Sequence, residues 1–227
     1  MLRFSWVAAS ALILAGLGPS VASAQFGRGF QMPASVQNIL LLRAEAVQKE
    51  LALTPDQTKS IADLGAKMQS EAIEIMSGLQ DLTDEERKEE MPNLMKMISE
   101  KGKDLQTQVD KILDAKQTAR IKELSIQRRN VAALQDDEVV AALKLSDEQK
   151  EKLTAIRDST AKEQEEIVKG LLSGGGDRSQ IRTKMEALQK TVGEKSFAVL
   201  TPEQREQFEK MKGAKFNFPP QGRGPGF

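Results

Sequence analysis

Four glutamines in this chain occupy the same place in one short pattern. Each stands four residues after a Leu, and Thr, Ser or Asp directly follows that Leu. The copies are Leu53-Thr54-Pro55-Asp56-Gln57, Leu113-Asp114-Ala115-Lys116-Gln117, Leu145-Ser146-Asp147-Glu148-Gln149 and Leu200-Thr201-Pro202-Glu203-Gln204. A carboxamide does its chemistry by hydrogen bonding, with two N–H donors and an oxygen that accepts twice. Thr54, Ser146 and Thr201 are placed as helix N-caps, and Pro55 and Pro202 suit the first helical position. Gln at the third helical position completes a capping box by accepting from the cap residue's backbone N–H. At Asp114 the sequence has no Pro, and a helix that runs straight through Gln117 is the expectation.

Capping is not the whole content of the pattern. Large apolar residues follow each Gln at +4 and +7: Ile61 and Leu64, Ile121 and Leu124, Leu153 and Ile156, Phe208 and Met211. On a helix these three positions lie within an arc of about 60°. Each Gln therefore points with the stripe that must be buried, and a buried amide needs partners. Two readings stand side by side. In one, Gln57 pairs near Leu113–Gln117 and Gln149 near Leu200–Gln204. In the other, the glutamines only cap and stay half exposed.

Other chemistry finds little to work with. The chain has no Cys and no His, so it lacks disulfides, the commonest general base and the commonest transition-metal ligand. Asp84-Glu85-Glu86 and Glu89-Glu90 are suited at most to weak binding of a hard cation, and read as a solvated helix face. Gly174-Gly175-Gly176 lacks the Lys-Ser/Thr and strand context of a phosphate loop. No constellation suggests an enzyme; no catalytic residue, metal or cofactor is expected. Lys and Arg balance Asp and Glu at 33 each, which gives no support to nucleic-acid binding. Arg128-Arg129 reads as a solvated helix end. Met68, Met76, Met91, Met95, Met97, Met185 and Met211 read mainly as core, with an adaptable apolar surface as the alternative.

The elements that must carry the pattern are helices. Aromatics are 4% of the chain and Tyr is absent, so the core is aliphatic. Ile61, Leu64, Met68, Ala72, Ile75 and Leu79 step by three or four residues; so do Leu94, Ile98, Leu105, Val109 and Ile112, and Ile181, Met185, Leu188 and Val192. No period-two strand is evident, and the expected class is all-α. Breaks are expected at Asp81–Asp84, at Met91-Pro92, at Ser173–Asp177 and over Asn130–Asp137. Thr83–Glu86 reads as a further capping box, opening a short charged helix.

The two halves repeat. Val47, Leu51, Leu53 and Thr54 precede Gln57 as Val139, Leu143, Leu145 and Ser146 precede Gln149. From Leu53 to Leu113 is 60 residues and from Leu145 to Leu200 is 55. The midpoints fall at the first break and at the Gly-rich turn. Each half is expected to be a long antiparallel helical hairpin, with helices of about 37 Å and its two motifs at the base. The expected organisation is a signal peptide over 1–24, a Gly/Phe/Arg tail over 25–35, hairpin units over 36–132 and 133–212, and a disordered tail over 213–227. The signal peptide rests on Arg3, the apolar stretch from Phe4 to Leu17, and Ala22-Ser23-Ala24, with cleavage after Ala24. This predicts a periplasmic or secreted protein with no integral membrane segment after cleavage.

With these residues in view, the chain resembles the Spy/CpxP, or LTXXQ-motif, family of exported helical proteins over about residues 38–212. Leu53 to Gln57 and Leu200 to Gln204 match that motif in full; Leu145 to Gln149 has Ser for Thr, and Leu113 to Gln117 keeps the ends. The resemblance implies a periplasmic stress protein that holds unfolded clients on a helical cradle, modulates a sensor, or binds metal. It implies a protein partner or unfolded clients, with a chaperone-like module as the first reading and a regulatory or structural envelope partner as the second. The usual member carries one motif pair and works as a dimer. Two pairs in tandem here imply either a monomer with a pseudo-two-fold repeat or a homodimer.

Overall fold

The computed structural model describes residues 34–80, 82–172 and 178–219. The expected signal peptide, most of the N-terminal tail, the Gly-rich turn and residues 220–227 lie outside the described residues. The fold is all-α. Among the described residues there are nine α-helices and one 3-10 helix, and no strand. They are α1 (Ala34–Leu42), α2 (Glu45–Glu50), α3 (Pro55–Gln80), α4 (Asp84–Ile112), α5 (Ala115–Arg129), the 3-10 helix (Asn130–Gln135), α6 (Asp137–Leu143), α7 (Asp147–Leu172), α8 (Arg178–Val199) and α9 (Pro202–Met211).

The apolar spacing of each long helix explains what it buries. Ile61 and Leu64 of α3, and Leu105 and Val109 of α4, join Ile39, Leu42, Val47, Leu51, Leu113, Ile121 and Leu124 in one core cluster. A second cluster holds Ile126, Ala133, Leu134, Val139, Leu143, Leu145, Leu153, Leu200 and Phe208. Phe208 is fully buried, with Phe197 edge-on at 5.9 Å between ring centroids. Its burial stabilises the second cluster by about 2–3 kcal/mol. Residues in equivalent positions of the two repeats fill equivalent places: Val47 and Val139, Leu51 and Leu143, Ile61 and Leu153, Leu113 and Leu200, Ile121 and Phe208.

The long helices touch in pairs, α3 with α4 and α7 with α8. Lys101 of α4 and Glu71 of α3 form an ion pair at 2.9 Å across the first pair. Helix α1 packs on α3, α4 and α5, and the 3-10 helix packs on α5, α6, α7 and α8.

Several sequence expectations are corrected. Helix does not run through Asp114. Leu113 is extended (φ −91°, ψ 146°), and Asp114 caps a new helix with its own capping box. Asp accepts from the third helical N–H as well as Thr does, so Pro was not needed for a break. Met91-Pro92 is no break, since α4 continues through Pro92. Proline there forfeits one helical hydrogen bond, at a cost of roughly 3 kcal/mol. The buried Leu94, Leu105 and Val109 further along supply packing that offsets it. Thr83 and Glu86 do form a capping box, but at the head of this long helix rather than a short one. The Asn130–Asp137 segment is no plain spacer: Ala133 and Leu134 have no exposed surface. Arg129 is no solvated helix end either; its guanidinium forms a bidentate pair with Asp136, at 2.6 Å for the Nη1 contact. At the N-terminal end, α1 already begins at Ala34 and buries Ser35, inside the span expected to be a tail.

The C-terminal expectation changes most. Residues 213–219 have no regular secondary structure, yet they are not a free tail. Phe216 and Phe218 pack against the first core cluster. The Gln127 side chain holds the segment's backbone: its oxygen accepts from Phe216 N–H at 3.0 Å, and its amide donates to the Lys212 and Ala214 carbonyls. No helix forms there, and the Gln127 side chain from α5 satisfies part of the backbone instead.

Candidate functional site: two glutamine clasps and the helical faces beyond them

The four motif glutamines meet in two pairs. Gln57 Nε2 donates to Gln117 Oε1 at 2.7 Å, and Gln117 Nε2 donates back to Gln57 Oε1 at 3.1 Å. Gln149 Nε2 donates to Gln204 Oε1 at 2.7 Å, and Gln204 Nε2 returns the bond at 3.1 Å. Each pair is a cyclic amide dimer.

The remaining capacity of each amide is spent on helix ends. The Gln57 and Gln117 oxygens accept from the backbone N–H of Thr54 and Asp114, both at 3.0 Å. Their second amide protons go to the carbonyls of Ile112 (2.8 Å) and Leu51 (3.2 Å). In the second pair, Ser146 and Thr201 N–H donate to Gln149 and Gln204 at 3.1 and 2.9 Å. The second protons reach the Val199 carbonyl at 2.9 Å and the Leu143 carbonyl at 3.1 Å. The cap side chains Thr54, Asp114, Ser146 and Thr201 accept from the backbone N–H of the Gln three residues on, closing the boxes.

Every carboxamide thus uses two donors and two lone pairs, its full capacity. Turning either amide over would aim an oxygen at a carbonyl and an NH2 at an N–H, so the network admits one orientation. Each Gln closes the start of its own helix and the end of another, where backbone groups would otherwise be unpaired. The two readings left open by the sequence are one arrangement: the same Gln caps and pairs. Gln117 is buried, with 9% of its surface exposed, while Gln57, Gln149 and Gln204 are half-buried.

The leucines complete the junctions. Leu113, Leu145 and Leu200 are buried and Leu53 is half-buried. Leu53 and Leu145 also end α2 and α6. Their N–H groups donate to the Gln48 and Val140 carbonyls, at 3.0 and 3.1 Å, across a residue in the left-handed region. Those residues are Ala52 (φ 47°) and Lys144 (φ 50°). This is the Schellman way of ending a helix, usually done with Gly. The apolar pairs Val47/Leu53 and Val139/Leu145 have the spacing that accompanies this motif, and no Gly announced it.

The paired carboxamides themselves carry no ionisable group. The carboxylates with lowered pKa are surface groups. Glu86 is held down by the backbone N–H and then the hydroxyl of Thr83. Glu45, Asp147, Glu148 and Glu206 are held down by hydrogen bonds and charge from Lys49, Lys150, Lys152 and Lys210. Glu85, Glu89 and Glu90 are exposed. Among the described residues no group of three or more acidic side chains is placed to hold a metal ion. The described surface includes a partly open depression lined by Arg157, Asp158, Ala161 and Lys162. No described helix is long and apolar enough to cross a membrane.

Away from the clasps, several apolar side chains of α3 and α4 keep exposed surface. Ile73 is 40% exposed and Met97 36%. Met68, Ile75, Met91, Met95 and Ile98 are only half-buried. No family model matches the chain, and neither a curated protein nor a solved structure matches it.

Proposed function

We propose that this chain is an exported, non-catalytic protein-binding module built from two tandem antiparallel helical hairpins. Each hairpin is clasped at its base by one glutamine pair, and binding belongs to the helical faces between the clasps. The reading is chaperone-like, in keeping with the Spy/CpxP resemblance and the signal-like N-terminus. One polypeptide forms the pseudo-two-fold unit in this reading.

The observation that carries it is the contrast along α3 and α4. At the base, every polar group of the clasp is satisfied and the apolar residues are buried. Further out, Ile73 and Met97 are exposed, and Met68, Met91 and Met95 are only half-buried. Methionine is flexible and polarizable, and suits contact with apolar segments of varied shape. The near balance of basic and acidic residues favours apolar rather than charge-driven capture.

The test is suppression of aggregation of a chemically denatured client at a one-to-one ratio. Slowed aggregation supports the reading, and unchanged aggregation rejects the chaperone-like form. Capture of one folded partner in place of many unfolded chains would favour a regulatory or structural envelope role. Light scattering that finds an obligate dimer would reject the single-chain unit.

A further inference from the structure

The segment after α9 is bound as a peptide ligand would be. Lys212 anchors its start: the ammonium lies 4.8 Å from the Phe208 ring centroid and 5.5 Å from that of Phe197. It also donates to Asn130 Oδ1 at 3.1 Å. Gly213 then turns in the left-handed region (φ 61°), and a Cβ there would collide with the Glu123 carboxylate. Glu123 is paired with Arg120 at 2.6 Å, which is itself paired with Glu50 at 2.7 Å, so making room for a Cβ would disturb this ion-pair network.

Beyond the turn, one side chain reads the backbone. Gln127 accepts from the Phe216 N–H and donates to two carbonyls, contacts that any peptide sequence supplies. Phe216 and Phe218, two residues apart, fall on one side of the segment. Their rings pack edge-on at 4.9 Å between centroids, against the first core cluster. The Arg128 guanidinium sits over the Phe218 ring at 5.2 Å. Both rings remain half exposed, and the intervening Asn217 faces solvent. The hold is a few contacts on a segment that follows the last helix, so it can release without opening a helix.

We infer that the α5 surface around Gln127 and Arg128 is a binding groove for an extended peptide with aromatic side chains two residues apart. The chain's own Phe216-Asn217-Phe218 fills it in cis and holds it closed. The occupant in trans is an aromatic-rich stretch of an unfolded chain, matched by the same backbone reading and the same cation over a ring. This rests on the protein-binding reading but concerns a different surface, and the two fail separately: the peptide titration reads the groove alone, and the aggregation assay repeated with Gln127→Ala reads the α3–α4 face.

A fluorescein-labelled peptide of residues 212–219 is titrated into full-length wild type and two full-length variants. Phe216→Ala/Phe218→Ala empties the groove. Gly213→Val leaves the groove intact but denies the turn its left-handed residue and its clearance from Glu123. A tethered segment competes at an effective concentration on the order of millimolar. Both variants should therefore bind the peptide at least about tenfold more tightly than wild type. The same peptide with both Phe replaced by Ala should not bind, and adding Gln127→Ala to either variant should abolish the gain. Folded variants that bind no better than wild type would overturn the inference. Loss of helical circular dichroism in both variants would overturn it too, because the segment would then be core rather than a releasable strap. Wild type that doubles in mass with concentration would also overturn it, by assigning the groove to the same segment of a second copy.

Discussion

Replacing Gln117 with Glu keeps the side chain's shape and removes its two amide donors. The new oxygen would stand where Nε2 now lies, 3.1 Å from Gln57 Oε1 and 3.2 Å from the Leu51 carbonyl. Both former bonds become contacts between acceptors. Because Gln117 is buried, water does not readily repair them. Leaving a buried polar group unpaired costs about 1–3 kcal/mol, so two such losses predict roughly 2–6 kcal/mol of destabilisation near pH 7. The penalty should depend on pH with a definite sign. Once protonated, the introduced carboxyl regains one donor, so its folded-state pKa is raised above the unfolded value. The folded state then binds the extra proton, and the penalty shrinks as pH falls through that raised pKa. Urea unfolding followed by helical circular dichroism at two pH values measures both effects. A midpoint at pH 7 equal to wild type would refute the clasp as an energetic element. So would a penalty that grows on acidification relative to wild type.

Gln57→Ala and Gln117→Ala should be non-additive in a double-mutant cycle, with a coupling of about 1 kcal/mol or more, because each removes the other's partner. Thr201→Ala should cost about 1 kcal/mol of unfolding free energy by removing the α9 cap. Ala52→Gly and Lys144→Gly should each raise the melting temperature slightly, worth about 0.5–1 kcal/mol, because glycine adopts the left-handed conformation without strain. The wild-type melting temperature should stay nearly flat from about pH 5 to 8, since no His titrates there. It should fall at more acid pH. Glu86, Asp147, Glu148 and Glu206 have pKa values held below their ordinary 3.8–4.5, so their contribution is complete above that range and lost as pH falls through the lowered values.

The repeat spacing carried much of the architecture. Sixty residues between Leu53 and Leu113, and 55 between Leu145 and Leu200, identify which glutamines meet. The +4 and +7 residues identify which helical face is buried. What the sequence did not disclose falls where one residue's role is set by a distant partner. Asp114 caps by local rule, but with no Pro after it the break is hidden until Gln117, closing that cap, also meets Gln57. Pro92 is a breaker by local rule, overridden by packing further along α4. Arg129 reads as solvated until Asp136, across the 3-10 turn, claims it. Phe216 and Phe218 look like tail residues because Gly and Pro surround them. Their partners, Gln127 and Arg128, lie almost ninety residues earlier in the chain.

The proposed function is the part least legible from residue types, because the apolar contact it invokes needs no special chemistry. The absence of Cys makes a direct measurement possible: a single Cys placed at Met97 or at Glu203 takes a photo-crosslinker at one defined position. Met97 is an exposed apolar residue of α4 away from the clasps, and Glu203 is an exposed residue next to the second clasp. With a denatured client present, the label at Met97 should capture client chains while that at Glu203 stays at background. Equal capture at both positions, or capture at Glu203 alone, would contradict the division between clasps that build the fold and faces that bind.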